Sequence, residues 1–250
     1  MALLRLEGLT KRFGGLLAVD HVDLEIDSGE AVGIVGPNGS GKSTLFNLIT
    51  GVHYSDEGRV FFDGRDVTQL ACYERAHLGI GRTFQIPRPF GSLTVRENVA
   101  IGAMFGTKES QMDVEEALQR ADEQLKRIDF YDRRERRGRE LTPTEMKMME
   151  IARALAMRPK LLLLDEAMAG MPPKDIDALV ELLKNIKQNA QIAVIAMVEH
   201  IMRAVVNFAE KVVVLYQGKK MLEAPTVEAL SDSRVIDVYL GRESEARSLA

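Results

Sequence analysis

A glycine-rich segment at residues 36–44 has the pattern G-x-x-x-x-G-K-S-T and constrains the fold of this chain most strongly. The pattern is typical of the P-loop, which binds the phosphates of a nucleoside triphosphate and its Mg²⁺. Lys42 is predicted to reach the outer phosphates and Ser43 to bind the metal. All residues of the segment are predicted to bind the nucleotide: Gly36, Pro37, Asn38, Gly39, Ser40, Gly41, Lys42, Ser43 and Thr44.

The flanking residues give the P-loop the context that its chemistry requires. Residues 31–35 are predicted to form a buried strand, and residues 45–50 the first turns of a helix that Gly51 ends. The N-terminal end of such a helix carries partial positive charge, which stabilises a bound phosphate. Strand, glycine loop and helix together predict a site for a nucleoside triphosphate.

Composition narrows the class of protein further. With 250 residues, 46% of them hydrophobic and 28% charged, the chain is long enough for one large domain with an additional lobe. The net charge of −4 argues against a broad nucleic-acid-binding surface, so no nucleic-acid partner is expected. The single cysteine, Cys72, and the lack of a long apolar N-terminal run indicate a cytoplasmic protein. No run approaches the roughly 18 apolar residues of a membrane span, so any membrane association is expected to be peripheral.

The first half of the chain predicts an antiparallel sheet followed by helices. Short strand patterns occur at residues 3–7, 22–26 and 59–62. Beyond them the pattern is mainly helical, with predicted helices at 112–130 and 143–157 and one apolar stretch at 80–84. The single domain, residues 1–250, is therefore predicted to have a helical lobe at 86–158 inserted into a core formed by 1–85 and 159–250.

Apolar runs rich in β-branched residues return after the lobe, at residues 160–165, 192–198 and 211–216. A helix is predicted at 176–186, and such alternation favours a parallel sheet with crossover helices. Gln217 and Gly218 mark a hairpin turn that closes the core. The predicted fold class is α/β: a P-loop core with an antiparallel β subdomain and an inserted helical lobe.

Four leucines, residues 161–164, lead directly into two adjacent carboxylates, Asp165 and Glu166. In a P-loop protein this is the Walker B pattern, in which the first acid holds Mg²⁺, directly or through water, and the second polarises the attacking water. Neighbouring residues at a strand end point in different directions, so the two carboxylates are expected to do different jobs. The pair predicts hydrolysis of the bound triphosphate.

With three further residues in matching places, the chain resembles the ATP-binding cassette (ABC) ATPases over nearly its whole length. Phe13 matches the aromatic residue that stacks on adenine. Gln85, at the end of Gly-Arg-Thr-Phe-Gln, matches the Q-loop glutamine, and His200 matches the switch histidine at the γ-phosphate. The resemblance implies ATP and Mg²⁺ as ligands. It assigns as catalytic residues Lys42, Gln85, Glu166 and His200, and as metal-binding residues Ser43, Gln85 and Asp165.

Within that family, the form of the Q-loop, the length of the passage to the second lobe helix and the ending at residues 235–241 resemble the LivG-type ATPases. Those proteins energise the uptake of branched-chain and other hydrophobic amino acids. The resemblance implies transmembrane permeases and a second ABC ATPase subunit as partners, a periplasmic binding protein as an indirect partner, and a place on the inner face of the plasma membrane. Related importers carry urea, short amides or aromatic acids, so the cargo stays open, as does the choice between homodimer and heterodimer.

The chain departs from the family at the signature loop, which acts on ATP bound to the other subunit. Where the family has Leu-Ser-Gly-Gly-Gln, this chain has Leu141, Thr142, Pro143, Thr144 and Glu145. The replacement has the form of a capping box, with Thr142 at the N-cap, proline at N1 and Glu145 at N3. The side chain of Thr144 and the charge of Glu145 crowd the phosphate-facing surface, so closure of the dimer is predicted to be weaker or slower.

A second departure follows the Walker B strand. Pro172 stands where the family's D-loop usually has asparagine or aspartate. Because proline lacks both a backbone donor and a polar side chain, coupling between the two sites of a dimer is predicted to be weakened.

Two surface segments each have two interpretations. Residues 132–140 contain five arginines among three acids, which fits a solvated loop of mixed charge or a contact with phosphate or a partner. Residues 86–98, directly after the Q-loop, carry prolines and an aromatic residue, and are predicted to contact the permeases. Ordinary packing within the lobe is the alternative for this second segment.

Two other classes of protein stay open. ABC ATPases that act on nucleic acid or ribosomes usually carry two cassettes or long insertions, and this chain has one cassette and neither feature. A regulatory subunit that binds nucleotide without turnover would fit the altered signature loop. The presence of Lys42, Glu166 and His200 together favours hydrolysis instead.

Overall fold

The computed structural model describes residues 2–106, 112–190, 192–197 and 202–238. Within these ranges the strands are β1 (Leu4–Phe13), β2 (Leu16–Ile26), β3 (Ala31–Val35), β4 (Glu57–Phe62), β5 (Arg65–Asp66), β6 (Ile80–Arg82), β7 (Leu161–Asp165), β8 (Ala193–Met197), β9 (Lys211–Tyr216) and β10 (Lys219–Pro225). The helices are α1 (Lys42–Thr50), α2 (Cys72–His77), α3 (Val95–Phe105), α4 (Val114–Arg127), α5 (Pro143–Ala156), α6 (Pro173–Ala190), α7 (Met202–Phe208) and α8 (Thr226–Ser231). Short 3₁₀ turns lie at Tyr131–Arg133 and Gly138–Glu140.

One sheet is antiparallel, with the strand order β2-β1-β4-β5. This confirms the predicted antiparallel subdomain, but the strands are longer than the sequence indicated. β1 runs on to Phe13, past Gly8, whose φ of 53° accompanies a break in the pairing register with β2. Such an irregularity interrupts the two-residue alternation by which a strand is detected in a sequence. The extension places Phe13 at the tip of the β1–β2 hairpin.

The second sheet has the order β10-β9-β3-β8-β7-β6, and all neighbouring pairs except β10–β9 are parallel. The predicted parallel sheet and the predicted hairpin at Gln217 and Gly218 are both confirmed. Every residue of β3 and β7 is buried, as expected for strands covered on both faces. The apolar stretch at 80–84, for which no strand was predicted, contributes β6. Because β3 and β7 are parallel, the P-loop and the Walker B carboxylates emerge at the same edge of the sheet.

The parallel sheet separates two apolar clusters. Leu161 and Leu163 of β7 face one cluster, which joins α1 and the antiparallel sheet. Leu162 and Leu164 face the other, which contains α5, α6 and α7. The alternation along β7 therefore ties both halves of the interior to the strand that ends in the carboxylate pair.

Helices α3, α4 and α5 pack against one another in the region predicted as a helical lobe. α4 lies inside the range predicted as helical, and α5 begins at the predicted residue, Pro143. α3 was not identified individually in the sequence, although Thr94 and Glu97 form a capping box at its start. The buried side chains between the three helices include Val95, Val99, Ala103, Ala117, Ala121, Leu125 and Met149. No helix in the described ranges is both long enough and apolar enough to cross a bilayer.

Candidate functional site: a nucleotide cleft and an acidic pair at one sheet edge

The P-loop joins β3 to α1 and packs closely against the backbone of neighbouring segments. Gly41, at the N-cap of α1, has a φ of 105°, and a Cβ there would lie 2.4 Å from the carbonyl oxygen of Ala18 in β2. On another side, the N–H of Gly218 donates to the carbonyl oxygen of Ser40 over 3.1 Å. Among the described residues no side chain caps α1, so its first N–H groups face the loop and suit an anionic ligand.

Lys42 is buried and folds back over the P-loop. Its Nζ donates to the carbonyl oxygens of Gly36 and Pro37, at 2.7 and 2.9 Å. Phosphate oxygens carry more charge than these carbonyls and form stronger bonds with an ammonium group. The arrangement therefore holds Lys42 in place for a nucleotide phosphate to replace the carbonyls as its acceptor.

A cleft of about 440 Å³ lies beside the P-loop. Phe13 lines it and is 43% exposed, and its ring makes a T-shaped contact with His53, with the centroids 5.3 Å apart. An exposed aromatic face beside a phosphate-binding loop suits stacking on a nucleotide base. The other lining residues are Leu16, Leu17, Ala18, Gly39, Gly41, Lys42, Ser43, Thr44 and Gln217. Strand and turn residues carry no ligand-binding pattern of their own, so four of these lining residues were not predicted: Leu16, Leu17, Ala18 and Gln217.

Asp165 ends β7 with its side chain directed inward. Its Oδ2 accepts a 2.7 Å hydrogen bond from Nη2 of Arg82, and its N–H donates to Oγ1 of Thr83 over 3.2 Å. Nη1 of Arg82 also donates to Oδ1 of Asn47 in α1, over 2.7 Å. Arg82 lies inside the Q-loop motif used in the sequence analysis, yet no role was assigned to it there, because nothing in the sequence shows which acid it meets.

Glu166 points the other way and meets the Q-loop. Its Oε2 accepts a 2.7 Å hydrogen bond from Nε2 of Gln85. The backbone of Glu166 has a φ of 47°, in the left-handed region that non-glycine residues rarely adopt. Such conformations cluster at functional sites, where the surrounding structure holds them. The structure thus brings Gln85 and Glu166 together and gives the two adjacent acids different partners.

The residues at this edge fit a magnesium ion. Oδ1 of Asp165 is buried and has no hydrogen-bond partner within the described structure, so it is an oriented acceptor. Gln85 uses its amide nitrogen for Glu166, which leaves the amide oxygen as a second acceptor. Ser43, in the first turn of α1, is an exposed residue with a hydroxyl group. Hydroxyl, amide and carboxylate oxygens are the donors that Mg²⁺ takes, usually together with water.

The altered signature loop forms the capping box that its sequence predicts. The N–H of Glu145 donates to Oγ1 of Thr142 over 3.3 Å, and the N–H of Thr142 donates to Oε2 of Glu145 over 2.8 Å. Pro143 occupies the first helical position. The start of α5 is therefore stabilised without the family's glycines and glutamine.

Two arginines of the 132–140 segment neutralise Glu145. Its Oε1 accepts hydrogen bonds from Nη1 of Arg136 at 2.6 Å and from Nε of Arg133 at 3.3 Å. Partial burial would raise the pKa of Glu145, but the hydrogen bonds from Thr142 and the charge of Arg136 outweigh burial and lower this pKa. The interpretation of 132–140 as only a solvated loop was incomplete, since two of its arginines support the helix start.

Two further predicted positions are Pro172 and His200. The carbonyl oxygen of Pro172 accepts from the N–H of Ile176 over 3.1 Å, so this residue lies at the N-terminal end of α6, directly before Pro173. His200 lies outside the described residues.

Because the phosphate-binding loop and the acidic pair share one sheet edge, the fold and the site define a P-loop nucleoside triphosphatase. Comparison with known proteins sets this class more narrowly. The family model described as ABC transporter matches residues 19–169. The chain belongs to this family, as an ATP-binding subunit, and it is an ATPase.

Relatives match the chain almost from end to end. A probable branched-chain amino acid transport ATP-binding protein LivG of Methanocaldococcus jannaschii is 36% identical over 259 residues, covering 96% of this chain and 98% of that protein. The high-affinity branched-chain amino acid transport ATP-binding protein BraF of Pseudomonas aeruginosa is 32% identical over 250 residues, covering 96% and 98%. A crystal structure of the ADP conformation of an ATP-binding cassette superposes with a TM-score of 0.86 at 34% identity, covering 96% of this chain and 99% of that one. A nucleotide-free cassette gives a TM-score of 0.85 at 33% identity, with the same coverage.

Proposed function

We propose that this protein hydrolyses ATP to drive the import of branched-chain or related hydrophobic amino acids. The role of Glu166 in activating water rests on one observation, the hydrogen bond between Gln85 and Glu166 at the sheet edge that also carries the P-loop. The cargo is proposed from the similarity to relatives named for branched-chain amino acid transport. In this proposal the protein lies on the inner face of the plasma membrane with a second ABC ATPase subunit and two permeases, and a periplasmic binding protein delivers the cargo.

ATP binding would use the cleft and the loop together. Adenine would stack on Phe13, and the phosphates would meet the N-terminal N–H groups of α1 and the ammonium group of Lys42. Ser43 and Gln85 would hold Mg²⁺, with Asp165 close behind. The bound ion supplies neutralisation of the charge on the outer phosphates.

Hydrolysis would begin at Glu166. Its carboxylate would orient a water molecule and accept a proton from it as the water oxygen bonds to the γ-phosphorus. The bond from phosphorus to the bridging oxygen breaks, releasing ADP and inorganic phosphate. His200 is proposed to hold the γ-phosphate, and Thr142 with the start of α5 from the other subunit would complete the site.

The proposed permease surface lies directly after the Q-loop. Ile86 and Phe90 expose 74% and 48% of their surface there, and Phe84, just before Gln85, exposes 44%. Apolar side chains grouped in this way are typical of a protein interaction site. Closure of the ATPase dimer would then move the lobe at 86–158 relative to the core at 1–85 and 159–250, and so move the permeases.

The experiment compares the wild-type protein with Glu166→Gln. We expect the purified variant to bind ATP with unchanged affinity and to lose at least about 100-fold in turnover, since it cannot accept the proton. In the organism of origin, deletion of the gene or this substitution should abolish uptake of radiolabelled leucine, isoleucine and valine. Arg88→Glu tests the permease surface, and is expected to uncouple transport from ATP hydrolysis.

Distinct results would contradict distinct parts of the proposal. Wild-type turnover in Glu166→Gln would remove the assignment of Glu166. If the deletion or Glu166→Gln left branched-chain amino acid uptake normal but abolished uptake of urea, amides or aromatic acids, the proposed cargo would be wrong. Intact coupling in Arg88→Glu would remove this residue from the permease surface.

A further inference from the structure

Helix α5 contacts the backbone at both members of the Gln85–Glu166 pair through charged side chains on neighbouring turns. Lys147 reaches the backbone at Glu166, and Glu150 reaches the backbone on either side of Gln85. The sequence predicts only that both residues lie in the helix at 143–157. In the structure they lie between the signature loop, where α5 begins, and the acidic pair of the same subunit.

Lys147 stabilises the turn that starts at Glu166. Its Nζ donates to the carbonyl oxygen of Glu166 at 2.9 Å and to that of Ala169 at 2.6 Å. The N–H of Ala169 also donates to the carbonyl oxygen of Glu166, which closes the turn. A left-handed residue other than glycine keeps its conformation only when its surroundings hold it, and Lys147 supplies two charge-assisted bonds to do so. Desolvation by this partial burial lowers the pKa of Lys147.

Glu150 holds the Q-loop from the other side. It is 5% exposed, and its Oε2 accepts from the N–H of Phe84 at 3.2 Å while its Oε1 accepts from the N–H of Arg88 at 2.8 Å. One carboxylate therefore bridges the chain before and after Gln85. A buried carboxylate requires such partners, so the loop and Glu150 fix each other.

We propose that Lys147 and Glu150 are positioning residues that keep Glu166 and Gln85 at hydrogen-bond distance. The inference rests on the proposed role of Glu166 in activating water. Both residues bind main-chain atoms. They therefore fix the positions from which the side chains of Glu166 and Gln85 reach the reacting phosphate, and Lys147 and Glu150 do not touch the phosphate themselves. They also connect the start of α5, which is proposed to act on the other subunit's ATP, to the site of its own subunit.

This role affects turnover more than nucleotide affinity. ATP is proposed to bind through the P-loop and Phe13, and Lys147 contacts neither. A displacement of about 1 Å at a catalytic group can cost on the order of 100-fold in rate. Loss of the ammonium group should therefore lower kcat while the affinity for ATP is kept.

The test uses Lys147→Met, which keeps most of the length and the apolar stem of the side chain but removes its donors. We expect kcat to fall by roughly 10- to 100-fold, with KM and the ATP dissociation constant from calorimetry within about twofold of wild type. Lys147→Arg keeps the charge and the donors, and should recover most of the turnover. The control is Lys184→Met in α6, where the lysine is exposed and pairs with Glu181 three residues earlier; it should behave as wild type.

A double-mutant cycle separates positioning from general stabilisation. If Lys147 acts through the pair, Lys147→Met should cost little further turnover in a Gln85→Ala background, since the effects of residues that act as a unit are not additive. Glu150→Gln is the second variant, because it keeps the shape and one acceptor oxygen. It should lower kcat without a matching loss of ATP affinity.

Three outcomes would overturn the inference: unchanged turnover in Lys147→Met, equal losses of ATP affinity and turnover, or additive effects with Gln85→Ala. Wild-type protein that binds ATP but does not hydrolyse it would contradict the proposed function itself. The two failures are distinguishable because the second is seen without any variant.

Discussion

Arg82 and Asp165 form a buried ion pair between neighbouring strands, with 2.7 Å between Nη2 and Oδ2. The two side chains are 10% and 4% exposed. Arg82 also donates to Asn47 in α1, so a single guanidinium joins the helix after the P-loop, the strand before the Q-loop and the Walker B strand. The pair leaves Oδ1 of Asp165 without a hydrogen-bond partner in the described part of the chain, and this is the oxygen proposed to face a metal or its water.

Arg82→Met is expected to lower the free energy of unfolding by about 3–5 kcal/mol, since it leaves the Asp165 carboxylate buried without its partner. Urea denaturation would measure the loss. The control is Arg203→Met, which breaks an ion pair with Asp177 whose side chains are 72% and 51% exposed. An exposed pair contributes at most about 1 kcal/mol, so equal losses in the two variants would contradict the buried-pair explanation.

Arg75 stabilises the opposite end of α1 without any carboxylate partner in the described contacts. It is 1% exposed and donates to the carbonyl oxygens of Leu48, Ile49, Thr68 and Leu70. Burial lowers the pKa of its guanidinium, and the last carbonyls of α1 offset part of that cost.

Arg75→Met should therefore destabilise the protein by roughly 2–4 kcal/mol, because several buried carbonyl groups lose their donor. Arg75→Lys should recover only part of this loss, as one ammonium group cannot replace the planar fork of donors. Thermal and urea denaturation would measure both. If Arg75→Met left the free energy of unfolding unchanged, Arg75 would not be the residue that stabilises the end of α1.

The fold was predictable where the local pattern and the final environment agree. β3 and β9 have the bounds expected from their apolar runs, because both are fully or largely buried. The start of α5 was predictable from Thr142 and Glu145, whose capping contacts are local. β1 was underestimated because Gly8 disrupts its alternation, and the short strand β6 has too few residues to show a period.

The residues of the candidate site were likewise predictable only where they belong to a local sequence motif. The P-loop, the acidic pair and Gln85 occur in recognisable motifs. Arg82 and Asp165 are 83 residues apart in sequence, and no single-sequence pattern indicates which charged residues will meet at that separation. Lys147 and Glu150 bind backbone atoms, which every residue has, so their partners leave no trace in the sequence.

Glu145 makes the stability of the α5 start depend on pH. Its pKa is lowered in the folded protein from the ordinary 4.5. The contribution is therefore fully present above pH 4.5 and is lost as pH falls through the lower, folded-state pKa. We expect Glu145→Gln to be less stable than wild type by about 1 kcal/mol at neutral pH, and this difference should shrink in acid below pH 4.5. Denaturation of both proteins across this range would measure it; a difference that stays constant with pH would show that the charge of Glu145 contributes nothing.

Replacing residues 142–145 by Ser-Gly-Gly-Gln is expected to raise ATP turnover. Arg133 and Arg136 neutralise the carboxylate of Glu145, so the side chain of Thr144 is the main obstacle near the helix end that is proposed to meet the other subunit's γ-phosphate. Relieving about 1 kcal/mol of this crowding corresponds to roughly a fivefold faster reaction at saturating ATP.

The same replacement should lower the free energy of unfolding, because it places two glycines in the first turn of α5 and removes the ion pairs of Glu145 with Arg133 and Arg136. Turnover and stability are thus expected to change in opposite directions. Thr142→Ser alone, which keeps the cap and the carboxylate, is the matched control and should change neither. Unchanged or lower turnover in the full replacement would show that the altered loop is not what limits closure on ATP.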